Sequence, residues 1–303
     1  MTEFLETAIE RPRTGPAPEP LPGGRERRSI PVRRAAVWLR RRLGLVAGGT
    51  VVLLVLAWAV APSVFASGDP LRGIPAQKLR APSTEHWFGT DNLGRDLYTR
   101  VVHGTGLSVS ATVFAVMLGS AVGSLLGLVA GGAGGALDTA IMRVVDVLLS
   151  IPDLLVALAM ITVLGLGTRN VSIAVGVSLI ARFARVMRGE VLRVRRAPYV
   201  EAAFAAGVRW HRVLFRHVLR NAHLPVAALA AVDFGVAVLF VATLGFLGYG
   251  AVPPTPEWGS LVSDGRGFLA TAWWLTTLPG VVIVVLVLST QRVARALQKE
   301  ESL

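Results

Sequence analysis

Long runs without a charged residue alternate with clusters of arginine along this chain. Residues 43–65 and 107–130 contain no Asp, Glu, Lys or Arg. A helix of about 20 apolar residues crosses the roughly 30 Å hydrocarbon core of a bilayer. Only 17% of the 303 residues are charged and 53% are hydrophobic, as expected when lipid is the main solvent. The chain is therefore predicted to be an all-α, polytopic integral membrane protein.

Six transmembrane helices follow from the same criterion, with candidate spans at 43–65, 107–130, 140–164, 171–180, 224–247 and 273–288, the fourth of which is predicted to continue as helix through 187. With the N-terminus inside, 23 Arg and Lys residues fall on inner segments and seven on outer ones, and Arg143 lies within a span. This bias predicts that both termini are cytoplasmic. Residues 1–42 are predicted to be a basic, Pro-rich cytoplasmic tail, and 43–303 a six-helix transmembrane domain. A cleaved signal peptide is the alternative for the first span, but its apolar run is too long and the tail precedes it.

Several kinds of chemistry are excluded by composition. The chain has no cysteine, and its two lysines, Lys78 and Lys299, both follow glutamine. A phosphate-binding P-loop needs Gly-Lys, so the chain is predicted to hold no ATP site and no cofactor of its own. The five histidines are scattered, which predicts no metal site. The net charge of +12 would suit nucleic acid, but the arginines flank apolar spans, so membrane lipid is the expected partner.

A row of small residues marks the second span. Glycine recurs every four residues at Gly119, Gly123, Gly127 and Gly131. Small residues at this spacing let another helix approach closely. The row predicts a helix-packing surface, whose partner helix lies either in this chain or in another.

The segment 197–211 carries a second pattern, with a predicted short helix and a hinge. Pro198 suits the first turn of a helix, where its missing N–H costs nothing, and Glu201 lies near the positive end of the helix dipole. Ala202 and Ala203 leave a low surface, and Gly207 can adopt the left-handed conformation that ends a helix. A basic helix is predicted to follow and to lead into the fifth span.

This segment resembles the EAA loop of ABC importer permeases. The family pattern is Glu-Ala-Ala, three residues, Gly, nine residues, an apolar or His position, one residue and Leu-Pro. Here Arg220 replaces the final proline. The resemblance implies that the segment is a cytoplasmic coupling helix seated in a groove of an ATPase subunit. The residues implied to couple to the ATPase are Glu201, Ala202, Ala203, Gly207, Val208, Leu214 and His217.

Two outer segments indicate which group of ABC importer permeases the chain resembles. They are residues 86–96, in which Thr90 or Asp91 is predicted to cap a helix running toward His103, and the Pro-rich residues 252–259. Both are similar to signatures of the dipeptide/oligopeptide permease family, specifically its second (C-type) membrane subunit, and the resemblance covers about 85–297. Residues of these segments that could contact a binding protein are Asp91, Arg95, Trp258 and Gly259.

That resemblance implies the partners and the cargo. The partners are a second homologous permease, two ATPase subunits or one fused pair, and an extracytoplasmic substrate-binding protein. ATP and Mg²⁺ would bind the ATPase partners only. The implied location is the bacterial plasma (inner) membrane, and the implied cargo is a dipeptide or short oligopeptide. Nickel, glutathione or haem import on the same plan is the alternative.

Two carboxylates stand at membrane depth, where a charge is costly. Asp153 follows Pro152 in the third span, and Asp233 lies within the fifth. They line the translocation pathway, or they are inward carboxylates hydrogen-bonded to a neighbouring helix. Together they are also the only conceivable dyad for an intramembrane enzyme. A secondary transporter would explain the spans but not the EAA-like segment.

Overall fold

A computed structural model describes residues 31–208, 213 and 219–300, with the side chains of 31–43, 203–204, 220–223 and 297–300 left undescribed. The chain divides into two units, residues 1–41 and 42–303. Within the described residues there are ten α-helices. They are α1 (Pro31–Val60), α2 (Pro62–Phe65), α3 (Leu97–Ala133), α4 (Gly135–Ser150), α5 (Asp153–Leu164), α6 (Thr168–Arg195), α7 (Pro198–Ala205), α8 (Leu219–Phe246), α9 (Trp258–Gly265) and α10 (Trp274–Glu300). Short 3₁₀ turns occupy Pro75–Gln77 and Arg266–Phe268.

Four of these helices are long and apolar enough to cross a bilayer: Leu97–Ala133, Thr168–Arg195, Leu224–Phe246 and Trp274–Ala296. The pair formed by α4 and α5 passes the same test together. Within α1, Gly44–Val60 is a shorter apolar helix. The described helices therefore form an all-α, multi-pass membrane protein. The count of six and the side on which each terminus lies stay predictions.

The third predicted span is not one continuous helix. It divides at Pro152 into α4 and α5, which are bent by 97°. Ile151 is extended, with φ −98° and ψ 135°, as expected for a residue that precedes a proline. Pro152 also lacks the N–H that would continue the helix. Asp153 is therefore the first residue of a new helix rather than a residue in the middle of a span.

The N-terminus of α3 is also placed differently from its prediction. The capping residue is Asp96, whose carboxylate accepts a 2.8 Å hydrogen bond from the backbone N–H of Thr99. The prediction that Thr90 or Asp91 caps this helix is wrong. Both residues instead lie in the preceding turn, and Thr90 forms an isolated β-bridge with Asp96.

The glycine row of α3 packs against α6 of the same chain. A methyl group built on Gly123 would lie 2.6 Å from Cβ of Phe183, closer than real side chains approach. The remaining positions repeat this contact with a constant register. The opposed pairs are Gly119 with Leu179, Gly123 with Phe183, Gly127 with Met187, and Gly131 with Val191. Because each step of four residues along α3 matches a step of four along α6, the two helices run parallel.

Several chain segments meet at the end of the bundle where α3 and α6 begin. The backbone N–H of Gly167 donates to the carbonyl of Tyr249 at 2.9 Å. Trp274 Nε1 donates to the carbonyl of Thr90 at 3.3 Å. His103 Nε2 lies 3.0 Å from the carbonyl of Ala66. The ends of α1, α5 and α8 and the starts of α3, α6 and α10 thus share one end, as expected if successive segments cross the bundle in alternating directions.

We predict that enlarging the glycine row destabilises the fold. A side chain at Gly127 would meet the carbonyl oxygen of Ala184 and Cβ of Met187, so Gly127→Val should lower the free energy of unfolding by about 1–3 kcal/mol. Gly189→Val is the matched control, because nothing lies within 4 Å of a methyl group built there. Thermal unfolding of the purified protein in detergent measures both. Equal unfolding temperatures for the two variants would contradict the close packing of α3 on α6.

Candidate functional site

The segment singled out by its Glu-Ala-Ala sequence is the short helix α7, at the end of α6. Glu201 and Ala202 are exposed, and so are Ala205, Ala206 and Gly207 after them. Gly207 has a φ of +78°, the left-handed conformation that glycine adopts without strain. The described exposed residues of this segment are therefore mostly small, with a single carboxylate at Glu201 and one aromatic ring at Tyr199.

Buried valines hold this helix against the bundle. Val200 is fully buried and belongs to a cluster with Met187, Val191 and Val194 of α6 and with Val213. Val208 is partly buried and packs against the same cluster. One face of α7 is therefore fixed to the last turns of α6 while the opposite face is free of contacts that would hide Glu201 and Ala202.

Part of the predicted coupling set lies outside the described residues. Leu214 and His217 are not described, and neither is the side chain of Ala203, whose backbone is helical. The predicted basic helix after Gly207 falls largely within 209–218 and is likewise outside the described part. The coupling role of the whole set stays a prediction.

The two membrane-depth carboxylates converge on one arginine that the sequence analysis did not select. Arg182 of α6 donates from Nη1 to Oδ1 of Asp233 at 2.6 Å and from Nη2 to Oδ2 of Asp153. Three helices, α5, α6 and α8, thus meet at one guanidinium. Asp233 is 1% exposed, and its Oδ2 accepts no hydrogen bond from the described residues. The three residues are called the charged triad below.

Two further ion pairs join α6 to α4 on the side of the triad nearer α7. Arg188 donates from Nε and Nη2 to the two carboxylate oxygens of Asp138 at 2.6 and 2.7 Å. Arg185 pairs with Asp146, and both side chains are more than half exposed. Three consecutive turns of α6 are therefore joined by arginine to the broken α4–α5 pair.

The outer segment 86–96 is organised around a buried ionic network. Asp91 accepts from the backbone N–H of Arg95 at 2.9 Å and from its Nε at 2.6 Å. Arg100 Nε lies 3.7 Å from the same carboxylate, and its Nη1 donates to the carbonyl of Pro70 at 3.2 Å. Asp91, Arg95 and Arg100 are all less than 9% exposed. The network fixes the turn that leads into α3.

The second outer segment is equally buried. Trp258 is 1% exposed, and its Nε1 donates to the carbonyl of Val101 at 3.1 Å. Gly259 lies directly against α8, where any side chain would overlap the carbonyl of Ala242. The prediction that Asp91, Arg95, Trp258 and Gly259 could contact a binding protein stays a prediction, and the structure shows that Asp91, Arg95 and Trp258 expose little surface for such a contact. These residues support the outer surface from beneath, because their polar atoms and rings are used within the chain.

Glu257 is a buried carboxylate that the sequence analysis did not single out. It is fully buried between α8 and α9, and Oε2 accepts a 2.5 Å hydrogen bond from the backbone N–H of Ala251. Gly245 and Gly250 make room for it, since a methyl group at either position would overlap the carboxylate. Burial raises the pKa of Glu257, and the Ala251 hydrogen bond opposes that rise. The signal available in the sequence was a single acid within an otherwise apolar, Pro-rich outer segment.

Apolar helices of membrane-spanning length, a charged triad between them and an exposed helix at one end define a multi-pass membrane transport component. The family model for the inner membrane component of binding-protein-dependent transport systems matches residues 123–301. The chain belongs to this family. It is therefore a transport subunit and not an enzyme, and the family implies an ATPase and a substrate-binding protein as partners in general.

Curated relatives match nearly the whole chain. The dipeptide transport system permease protein DppC of Alkalihalophilus pseudofirmus is 35% identical over 295 residues, which cover 97% of each chain. The probable D,D-dipeptide transport system permease protein DdpC of Escherichia coli K12 is 38% identical, over 82% of this chain and 84% of the relative. The glutathione transport system permease protein GsiD of Pectobacterium atrosepticum is 36% identical, over 80% and 81%.

We predict that Glu257 makes stability depend on pH. Burial raises the folded-state pKa of Glu257 above its ordinary value of 4.5. Its contribution to stability is therefore present at a pH below 4.5 and is lost as pH rises through the folded-state pKa. Glu257→Gln keeps a hydrogen-bond acceptor for the backbone N–H of Ala251 and removes the titratable carboxyl group. The unfolding temperature in detergent is measured from pH 4.5 upward through neutrality. It should fall less steeply with rising pH for Glu257→Gln than for the unaltered protein. The exposed Glu85→Gln serves as the control, and superimposable pH profiles for all three proteins would contradict the prediction.

Proposed function

We propose that this chain is one of two transmembrane subunits of an ATP-driven importer of dipeptides and short oligopeptides, and that it forms half of the translocation pathway. The observation that carries this proposal is the exposed helix α7, with its single acid, its mostly small exposed side chains and the turn at Gly207 that follows it. This helix is fixed to the last turns of a membrane-spanning helix. Such a surface can enter a groove of an ATPase subunit and transmit its movement to α6.

The cargo is proposed from the relatives and from the chemistry of the bundle. Curated relatives named for dipeptide transport match at 35–38% identity. Within the described residues there is no group of three or more His, Cys, Asp or Glu that could hold a metal ion, and nickel import stays an alternative prediction. Glutathione import is the second candidate, because the glutathione relatives match at 36–38% identity.

The arrangement in the membrane is proposed to follow the charge bias of the loops. In this orientation α7 faces the cytoplasm, and the segments before α3 and after α8 face outward toward a substrate-binding protein. The subunit would sit in the bacterial inner membrane beside a second, homologous permease. Asp153 and Asp233 are proposed to belong to the pathway, at the point where α5, α6 and α8 meet.

We predict that reversing the charge on α7 uncouples transport from ATP hydrolysis. Glu201→Lys changes the one carboxylate of an exposed surface, so membrane insertion should persist while peptide uptake falls by about tenfold or more. Gly207→Pro should have the same effect, because proline cannot adopt the φ of +78°. Uptake of a labelled dipeptide into proteoliposomes and co-purification of the ATPase are measured. Glu85→Lys, an exposed site at the opposite end of the bundle, is the control, and undiminished uptake in both α7 variants would refute the coupling role.

We predict that α7 and the outer segments lie on opposite sides of the membrane. The chain has no native cysteine, so a single introduced cysteine can be labelled without background. Glu201→Cys should react with an impermeant maleimide only from the cytoplasmic side, and Thr255→Cys only from the outside, since both positions are exposed. Labelling of both positions from one side would overturn the proposed topology.

A further inference from the structure

Two members of the charged triad lie at the midpoints of their helices. Arg182 is the fifteenth residue of the 28-residue α6, and Asp233 is the fifteenth of the 28-residue α8. Asp153, the first residue of α5 after the break at Pro152, meets them there. Three charges therefore meet among helices of membrane-spanning length, where a charged group without a partner is costly.

The guanidinium is not fully covered by this chain. The side chain of Arg182 is 33% exposed, that of Asp153 is 16% exposed, and that of Asp233 is 2% exposed. An arginine that faced hydrocarbon at this depth would be strongly unfavourable. The exposed part of Arg182 must therefore face water or polar groups, and in a two-permease transporter the place that supplies both is the pathway between the subunits.

The bonding pattern of the triad suits exchange with a zwitterion. Each terminal nitrogen of Arg182 binds a different carboxylate, and the three groups carry a formal charge of −1. A peptide with free ends brings one carboxylate and one ammonium. Its carboxylate can replace one aspartate on Arg182 while its ammonium pairs with the aspartate that is released, so no buried charge is left without a partner. A metal cation cannot make this exchange, because it has no group for the guanidinium.

We propose that Arg182, together with Asp153 and Asp233, forms a transient binding site for the charged ends of the peptide cargo between the membrane-spanning helices. The inference rests on the proposed function and extends it by assigning Arg182 to the carboxylate end of the cargo and the two aspartates to the amino end. Asp233 supports this assignment, because its buried Oδ2 has no hydrogen-bond donor among the described residues.

The test separates cargo contact from a purely structural ion pair. Removing one charge leaves its partners unpaired whether the triad binds cargo or is only structural. The informative variant therefore removes all three charges: Arg182→Gln with Asp153→Asn and Asp233→Asn. The control is Arg185→Gln with Asp146→Asn, an exposed ion pair one turn away on the same helix. Each variant is reconstituted as the complete transporter in proteoliposomes, and uptake of labelled alanyl-alanine and ATP hydrolysis stimulated by the binding protein are both measured.

If the charges contact the cargo, the triple variant should import alanyl-alanine about tenfold or more slowly, while stimulated ATP hydrolysis and uptake by the control variant stay within about twofold of the unaltered transporter. Uptake by the triple variant close to that of the unaltered transporter would show that the charges only neutralise one another, and would overturn the inference. Equal loss of stimulated hydrolysis and uptake would place the triad in subunit coupling and would overturn it as well. Failure of the unaltered transporter to import the dipeptide would instead refute the proposed cargo. The inference that the triad binds peptide ends would then be refuted as well.

Discussion

The close approach of α3 to α6 is the contact on which the rest of the arrangement depends. Four glycines at every fourth position of α3 allow the backbone of α6 to lie against it over roughly three helical turns. Between apolar helices in lipid no hydrophobic force favours association, so close van der Waals contact must stabilise the pair. The parallel register also fixes the rotation of α6 about its axis. It therefore decides which side chains of α6 face α4, α5 and α8.

With this rotation, α6 makes three different sets of contacts along its length. Its glycine-facing side packs on α3, and its other side carries the arginines at positions 182, 185 and 188 toward the broken α4–α5 pair. Its last turns hold Val200 of α7 through buried valines, and Arg195 donates to the carbonyls of Gly131 and Gly132 at the end of α3. A displacement of α7 would therefore reach the charged triad through one continuous helix. The proposed coupling surface and the proposed cargo site are therefore joined by α6 and by the short turn at Arg196 and Ala197.

The outer segments show how little a sequence motif says about burial. Asp91, Arg95, Trp258 and Gly259 were selected because their segments are similar to family signatures. The structure uses them internally: Arg95 neutralises Asp91, Trp258 donates to the carbonyl of Val101, and Gly259 lets α9 approach α8. Sequence spacing gives no measure of burial for such residues. A charged pair separated by four residues reads the same way on a surface as in an interior.

The sequence by itself determined the all-helical membrane class, the position of most spans, the glycine row, and the short helix that ends at Gly207. These follow from local rules, because apolar length, small-residue spacing and the conformational freedom of glycine act over a few turns of chain. Only the tertiary structure decided which helix the glycines meet, that the third span is bent by 97° at Pro152, and that Asp153 and Asp233 share Arg182. The two contacts of Arg182 join residues that are 29 and 51 positions apart in the sequence. Arg182 lies just beyond the apolar run 171–180, and only the packing of three helices around it shows that Asp153 and Asp233 balance its charge.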